Sequence, residues 1–241
     1  MREKIIDLVL SYPGQYQRVL RKINNKEWAS PKKHDFRCVV IGDKDYPACY
    51  YRLQYPPLVL FYEGHLNLLD HDTLSVVGSR EFDPYSFEMT KKLVSMVSNK
   101  KVIVSGLAKG IDTIAHQSAQ QTVGILGCGL DIAYPRSNRR LIDYMKQNQL
   151  VISEYPFGTA PLKHHFPWRN RLIVASSKVL WVMSARFKSG TMHSVNEAIT
   201  LNNEIYCLPH PFDSPLGEGC HLSINQGAMV LTKEIVLEGV V

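Results

Sequence analysis

The chain lacks the features that mark disulfide-bonded, membrane-spanning and metal-binding proteins. Its 241 residues include five cysteines, with no Cys-x-x-Cys pair among them. A scattered, odd-numbered set of cysteines argues against both a disulfide framework and a zinc ribbon. No apolar run approaches the roughly 18 residues of a membrane span. We therefore expect a protein of the reducing cytoplasm that has no membrane contact.

The signatures of several enzyme classes are also absent. Neither the phosphate loop GxxxxGK[ST] nor the nucleophile elbow GxSxG occurs. The nearest dinucleotide fingerprint, Gly127 to Ile132, has Ile in place of its third glycine, which favours a turn over NAD binding. The pair His164-His165 has no carboxylate or cysteine at ligand spacing. We expect neither a cofactor nor a metal ion.

Positive charge is what the chain has in excess. It carries 28 Lys+Arg against 22 Asp+Glu, a net charge of +6 with neutral histidines. Clustered cations release counterions when they bind a polyanion, so nucleic acid is a candidate partner. With 45% hydrophobic residues the composition is otherwise that of an ordinary globular protein. The positions of the cations must therefore decide whether nucleic acid binds.

Hydrophobic periodicity divides the chain into two parts. Residues 1–34 predict a short helical segment, with two apolar stripes around the turn Tyr12-Pro13-Gly14, followed by a polar linker. Residues 35–241 contain apolar runs that alternate with stretches of helical period. The runs are LSVVGS (74–79), VIVSG (102–106), VGILG (123–127), LVISE (150–154), VLWVM (179–183) and EIYCL (204–208). Such strands are typical of sheets buried on both faces. The sequence predicts an extended, Rossmann-like α/β domain with a doubly wound, mostly parallel sheet and helices on both faces.

One helix start is marked with particular clarity. Asp83 followed by Pro84 predicts an N-cap and a first helical residue. Phe87, Thr90 and Val94 then share one face of the expected helix, together with Val97 three residues later. We therefore expect this face to pack on the sheet.

Small residues and cations follow three of the predicted strands. They are Gly78-Ser79-Arg80, the loop 105–110 with Lys109, and the loop 186–191 with two cations before Ser189-Gly190-Thr191. Ligands of such sheets bind at the carboxyl ends of the strands. Glycines and helix N-termini there expose backbone N–H groups to anions. The loops predict a phosphate-binding rim; alternatively, the glycines serve only the tight strand-to-helix turns.

The segment 161–171 is the densest candidate site. PLKHHFPWRNR combines basic side chains with two aromatic rings, which suits a strand whose phosphates pair with cations while its bases stack. Arg169 and Arg171 cannot face the same way on a helix, so we expect at least one to be structural. Among the nearby acids, Asp112 is expected to cap a helix, and Glu154 to order a neighbouring arginine.

These motifs resemble those of the DNA-processing family known as DprA or Smf. The matching stretches are VVGSR (76–80), SGLAKGIDTIAH (105–116), LGCGLDIAYP (126–135), SEYPFGTAPLKHHFPWRNRLIV (153–174), SGT (189–191) and GEGCHLSINQGAMVL (217–231). The resemblance implies a homodimeric protein that binds single-stranded DNA without sequence preference. It also implies protection of incoming DNA and loading of RecA recombinase in natural transformation. Many members of the family end in a winged-helix module, which we do not expect here.

The loops and the resemblance together define the candidate residues. The expected DNA contacts are Gly78, Ser79, Arg80, Gly106, Lys109, Gly110, Lys163, Phe166, Arg169, Asn170, Ser189 and Gly190. The resemblance places dimer contacts in the tail of the chain, at His221, Leu222, Ile224 and Val230. The alternative for this tail is that it closes the edge of the core.

A competing interpretation is enzymatic. Nucleoside-monophosphate phosphoribohydrolases of the LOG type have a GGxGTxxE turn and a basic pair, which Ser189-Gly190-Thr191 and Arg169-Asn170-Arg171 resemble. The acid is misplaced, because Glu197 follows Thr191 by six residues instead of three. An NAD-dependent oxidoreductase ranks third. We therefore expect a DNA-binding protein that is not an enzyme.

Overall fold

A nine-stranded sheet flanked by helices organises the computed structural model, which describes residues 1–237. The strands are β1 Cys38–Val40, β2 Val59–Gly64, β3 Thr73–Val77, β4 Val102–Ser105, β5 Thr122–Leu126, β6 Leu150–Ser153, β7 Val179–Val182, β8 Glu204–Cys207 and β9 Met229–Val230. The helices are α1 Arg2–Ser11, α2 Tyr16–Asn24, α3 Pro84–Val97, α4 Ile111–Ser118, α5 Arg139–Asn148, α6 His165–Ala175, α7 Gly190–Thr200, α8 Glu218–Asn225 and α9 Lys233–Leu237. All six strands predicted from the apolar runs are present.

The strand order locates the ligand-binding edge of the sheet. It runs β1-β2-β6-β5-β4-β3-β7-β8-β9. Every pair from β6 to β9 in this order is parallel, whereas β2 is antiparallel to both β6 and β1. From β3 the chain proceeds outward to β6, then returns to β7 on the other side of β3. This reversal opens a crevice between the carboxyl ends of β3 and β7, where sheets of this class bind ligands. The predicted fold class is confirmed.

Alternate residues of the central strands enter cores on opposite faces of the sheet. On β4, Val104 packs in one cluster with Leu172 of α6. The next residue toward the N-terminus, Ile103, packs in another with Val94 of α3 and Ile114 of α4. Full burial of a side chain of this size contributes roughly 1.5–3 kcal/mol. The continuous apolar runs therefore reflect a sheet that is covered on both sides.

The two N-terminal helices pack against the sheet. Ile6 and Leu8 of α1 are fully buried in a cluster with Val59 and Phe61 of β2. The turn between α1 and α2 lies where Tyr12-Pro13-Gly14 predicts it. The segment 1–34 thus shares a hydrophobic core with the strand that follows it.

The predicted start of α3 is confirmed in detail. The Asp83 carboxylate accepts a hydrogen bond of 2.7 Å from the N–H of Ser86, and Pro84 is the first helical residue. Thr90, Val94 and Val97 are buried, and Phe87 packs on the same core. This cap fixes the direction in which the chain leaves β3, and with it one wall of the crevice.

The tail predicted to form a dimer lies at one edge of the sheet. His221, Leu222 and Ile224 are half-buried on α8, and Ile224 packs on the core. Val230 belongs to the edge strand β9 and is 36% exposed, so the core does not enclose its side chain. Residues 238–241 of the predicted domain lie outside the described part of the chain. No described helix is long and apolar enough to cross a membrane.

Candidate nucleic-acid interface

A cleft of about 590 Å³ occupies the crevice between β3 and β7. A second cavity of about 180 Å³ lies beside it, over the ends of β4 and β5. Arg80, Tyr134, Phe166 and Arg169 line both, so the two cavities meet at these side chains. Together they form one open site at the carboxyl edge of the sheet, of the size usual for ligand-binding clefts.

Helix α6 carries three of the predicted DNA contacts, Phe166, Arg169 and Asn170. Phe166 and Asn170 are four residues apart and therefore share one face of the helix, which lines the cleft. Lys163 lies in the turn before α6, is exposed and lines the same cleft. The helix is anchored by Ser75 of β3, whose hydroxyl donates to the carbonyl of Ile173. The helix thus presents a ring and an amide to the cleft, and the turn before it presents a cation.

The ring of Phe166 is partly packed against the protein and partly exposed to solvent. Its ring is half-buried, and it lies close to the backbone of Gly127. The ring centroid is 5.3 Å from that of Tyr134, and the Arg80 guanidinium carbon is 5.6 Å from the Phe166 centroid. Aromatic rings beside cations are the usual elements of single-strand recognition. Phe166 therefore has the surroundings that a stacking residue requires.

The start of α7 forms another part of the wall. Ser189 is the N-cap residue, and its hydroxyl is buried without a hydrogen-bond partner among the described residues. Gly190 is exposed, and no atom lies within 4 Å of where its Cβ would be. Both line the cleft. Helix N-termini favour anions because their first N–H groups have no partner within the helix. Ser189 and Gly190 thus remain candidate phosphate contacts.

The expectation that the loop 105–110 offers its N–H groups to an anion is wrong for two of them. The N–H groups of Gly106 and Ala108 donate to the carboxylate of Asp112, at 3.2 and 3.3 Å. Asp112 thus already occupies the position that a phosphate would take. Lys109 is exposed and lines the smaller cavity, so the contact that this loop can make is through that side chain.

The glycines of these loops serve close packing. A Cβ on Gly106 would lie 2.1 Å from Nη1 of Arg169, and one on Gly78 would lie 2.5 Å from the side chain of Ile111. Gly110 has φ of +77°, and a Cβ there would meet the carbonyl oxygen of Ser79 at 2.4 Å. Gly106 and Gly110 are buried, whereas Gly78 is half-exposed. The alternative interpretation, glycine for a tight turn, is therefore supported for Gly110, whereas Gly106 makes room for the Arg169 side chain.

Both arginines of α6 have structural roles. The sequence led us to expect such a role for at least one of them. Arg171 is 5% exposed and ion-paired to Glu154, which confirms the ordering role expected of that acid. Arg169 is 4% exposed, and its Nη1 donates to the carbonyls of Gly106 and Ile125. Arg169 was expected to touch DNA, but the carbonyls hold it beneath the floor of the cleft. Its contribution to the site is positive charge.

Burial shifts the pKa values of the groups under the floor. It lowers the pKa of Arg169 to about 10, against the opposing effect of the nearby Asp112 carboxylate. It raises the pKa of Asp112 and of Glu154, against the effects of Arg169 and Arg171 respectively. Arg169 remains a cation at neutral pH. The cations that line the two cavities are Arg80, Lys109, Lys163, Arg169 and Arg186, and the carboxylates are Glu81 and Asp112. The site is therefore electropositive.

Among the side chains of the cleft that were not predicted as DNA contacts are Tyr134 and Arg186. Tyr134 comes from the loop after β5, is 39% exposed, and packs near Phe166. Arg186 follows β7 and is exposed at the cleft. Arg186 had a signal, since it is a cation at a strand end. No sequence pattern pointed to Tyr134, because only the fold brings its loop against α6.

Ser79, a predicted DNA contact, is half-exposed, but its N–H already donates to the Ser184 hydroxyl.

The acid required by the hydrolase alternative does not reach the cleft. Glu197 is half-buried on α7 and does not line either cavity. The carboxylate that does lie under the cleft, Asp112, is engaged by two backbone N–H groups. Among residues 1–237, no group of three or more His, Cys, Asp or Glu side chains could hold a metal ion.

Comparison with known proteins agrees with the site and its motifs. The family model for DNA recombination-mediator protein A matches residues 37–238. The chain belongs to this family. It is 39% identical over 196 residues to the DNA processing protein DprA of Streptococcus pneumoniae, covering 80% of this chain and 70% of that one. It is 37% identical over 189 residues to the protein Smf of Escherichia coli, which covers 76% of this chain. The match spans half the length of that Smf protein.

Two solved structures of the family share the fold. The DprA structure from Streptococcus pneumoniae matches with a TM-score of 0.88 and 30% identity, covering 99% of this chain and 97% of that one. DprA from Helicobacter pylori, described for its mode of binding single-stranded DNA, matches with a TM-score of 0.78 and 31% identity. That match covers 87% of this chain and 98% of the other. The resemblance inferred from the motifs is confirmed at the level of the family.

Proposed function

We propose that the protein binds single-stranded DNA in the cleft between β3 and β7, without base preference. The observation that carries this proposal is the combination, in one open site, of exposed cations with the half-exposed ring of Phe166. Such a groove tracks a phosphate backbone while any base stacks on the ring. The DprA relative whose structure is described for single-stranded DNA binding shares the fold, which supports the same ligand here.

Membership of the family supports a proposed wider role. Bound strands would be protected and passed to RecA recombinase during natural transformation and recombination. The protein would act as a cytoplasmic homodimer, with α8 and β9 in the interface. The exposure of Val230 at the sheet edge supports the interface, and the five unpaired cysteines are compatible with a reducing compartment.

A titration of single-stranded against duplex DNA at several salt concentrations tests the binding proposal. We expect tighter binding of the single strand, little dependence on base composition, and affinity that falls steeply with salt. Equal affinity for a duplex of the same length at physiological salt would contradict the proposal.

We propose that the protein has no enzymatic activity of its own. The position of Glu197 outside the cleft supports this over a phosphoribohydrolase. Incubation with nucleoside monophosphates, followed by chromatography of the free base, tests it. Release of base at a rate proportional to protein concentration would restore the enzymatic alternative.

A further inference from the structure

An ion pair bridges the two loops that form the crevice. The Glu81 carboxylate lies 2.9 Å from Nη2 of Arg186. Glu81 belongs to the loop after β3, and Arg186 to the loop after β7. Because β3 and β7 are neighbours at the point where the strand order reverses, the pair lies across the ligand-binding crevice. Both residues line the cleft.

Arg186 has no other partner in the described part of the chain. Its hydrogen bond to Glu81 is the one that the structure gives its side chain. The next cation in the loop, Lys188, does not line the cleft. Arg186 stands close in sequence to Ser189 and Gly190, the candidate phosphate contacts at the start of α7. It is therefore the cation of this loop that a strand in the cleft would meet.

We propose that Glu81 holds Arg186 as a substitute for a DNA phosphate, so that strand binding exchanges this carboxylate for a phosphate. The inference rests on the proposed DNA-binding function. A guanidinium binds carboxylate and phosphate oxygens with the same fork geometry, so either anion can satisfy it. Glu81 thereby lowers both the affinity of the site for a single strand and the salt dependence of binding.

The exposure of the pair makes such an exchange feasible. The side chains are 51% exposed for Arg186 and 76% for Glu81. Ion pairs in water are weak, so this one opens readily when a phosphate approaches. The N–H of Glu81 donates to the Ser79 hydroxyl at 3.3 Å.

The change Glu81→Gln tests the inference. It removes the competing charge and frees Arg186, so the single strand should bind about two- to five-fold tighter, the range that corresponds to a surface ion pair. The log–log salt dependence should steepen by up to about 0.7, the value for one phosphate contact of a single strand. Glu88→Gln is the matched control. Glu88 is an exposed acid on α3 that does not line the cleft, so its change should leave affinity nearly unaltered.

A double variant separates the exchange from general repulsion by a negative charge. In the exchange, Glu81→Gln acts through Arg186, so the double variant Glu81→Gln/Arg186→Gln should bind no tighter than Arg186→Gln alone. Tightening that persists in the double variant would overturn the inference, as would an unchanged affinity of Glu81→Gln. Failure of the wild-type protein to bind single-stranded DNA at all would instead overturn the proposed function. Circular dichroism of each variant checks that it is folded.

Discussion

The guanidinium of Arg80 lies over the ring of Phe166, with its central carbon 5.6 Å from the ring centroid. Arg80 comes from the loop after β3 and Phe166 from α6, so the contact joins the two walls of the cleft. A nucleotide at this point meets a charge for its phosphate and a ring for its base. The predictions below separate these two kinds of contact from each other and from stability.

Removal of the ring should weaken DNA binding with little change in its salt dependence. Phe166→Ala is expected to cost roughly 1–3 kcal/mol of binding free energy, the range for base–aromatic stacking. Fluorescence titration at several salt concentrations measures both quantities. Phe157→Ala is the control, because that ring is exposed, stacks on Phe36 and lies outside the cleft. A protein that melts early yet binds normally when folded would show that Phe166 is a packing residue.

Removal of a cation should weaken DNA binding and also reduce its salt dependence. Lys163→Ala is expected to weaken binding alike for all sequences and to reduce the log–log salt slope by about 0.7. The comparison is Lys178→Ala, another exposed lysine that lines neither cavity. An unaltered slope for Lys163→Ala would exclude a phosphate contact at this position.

A charge at the sheet edge should separate the proposed dimer. Val230→Arg is expected to give a folded monomer in analytical sedimentation, because the side chain is exposed and the substitution does not disturb the core. Tyr144→Arg, on α5 near the other end of the sheet, should remain dimeric. A folded dimer of Val230→Arg would remove this residue from the interface.

Breaking the buried pair under α6 should destabilise the fold. Arg171→Met leaves the Glu154 carboxylate buried without its cation, and removal of one partner from such a pair costs about 3–5 kcal/mol. Urea unfolding measures the loss. Adding Glu154→Gln should restore part of the stability, because neither charge then remains buried. Arg139→Met, in an exposed ion pair, should have little effect. A double variant as unstable as Arg171→Met would refute this account.

His116 should make the fold sensitive to acid. Its Nδ1–H donates to the Thr122 hydroxyl, which itself donates to Ile103, and burial lowers the His116 pKa from 6.5 to about 3. The unfolded chain therefore binds a proton that the folded protein excludes. This contribution to stability is complete above pH 6.5 and is lost as pH falls toward 3.

The change His116→Gln should flatten the decline of the unfolding free energy over that pH range. Urea unfolding at a series of pH values measures it. The exposed His164 provides the control, since His164→Gln should leave the decline unchanged. Parallel curves for wild type and His116→Gln would show that His116 is not the group responsible.

The strands β1, β2 and β9 are not among the six that the apolar runs predict. β9 has two residues, too few for an apolar run to show, whereas β1 lies in the apolar stretch from Cys38 to Ile41. β2 likewise contains three consecutive buried apolar residues, Val59, Leu60 and Phe61. Its antiparallel pairing with β6 could not be predicted, because strand direction depends on contacts distant in sequence.

The sequence by itself determined the central strands, the start of α3 and the position of Ser189 in the loop after a strand. Each of these depends on neighbouring residues alone, through apolar runs, an N-cap or glycine before a helix. Tertiary structure decided which groups remained available for DNA. It buried Arg169 against two backbone carbonyls, filled the Gly106 loop with the Asp112 carboxylate and brought Tyr134 to Phe166. A side chain's partners, and therefore its freedom to bind a ligand, depend on which distant segments the fold places beside it.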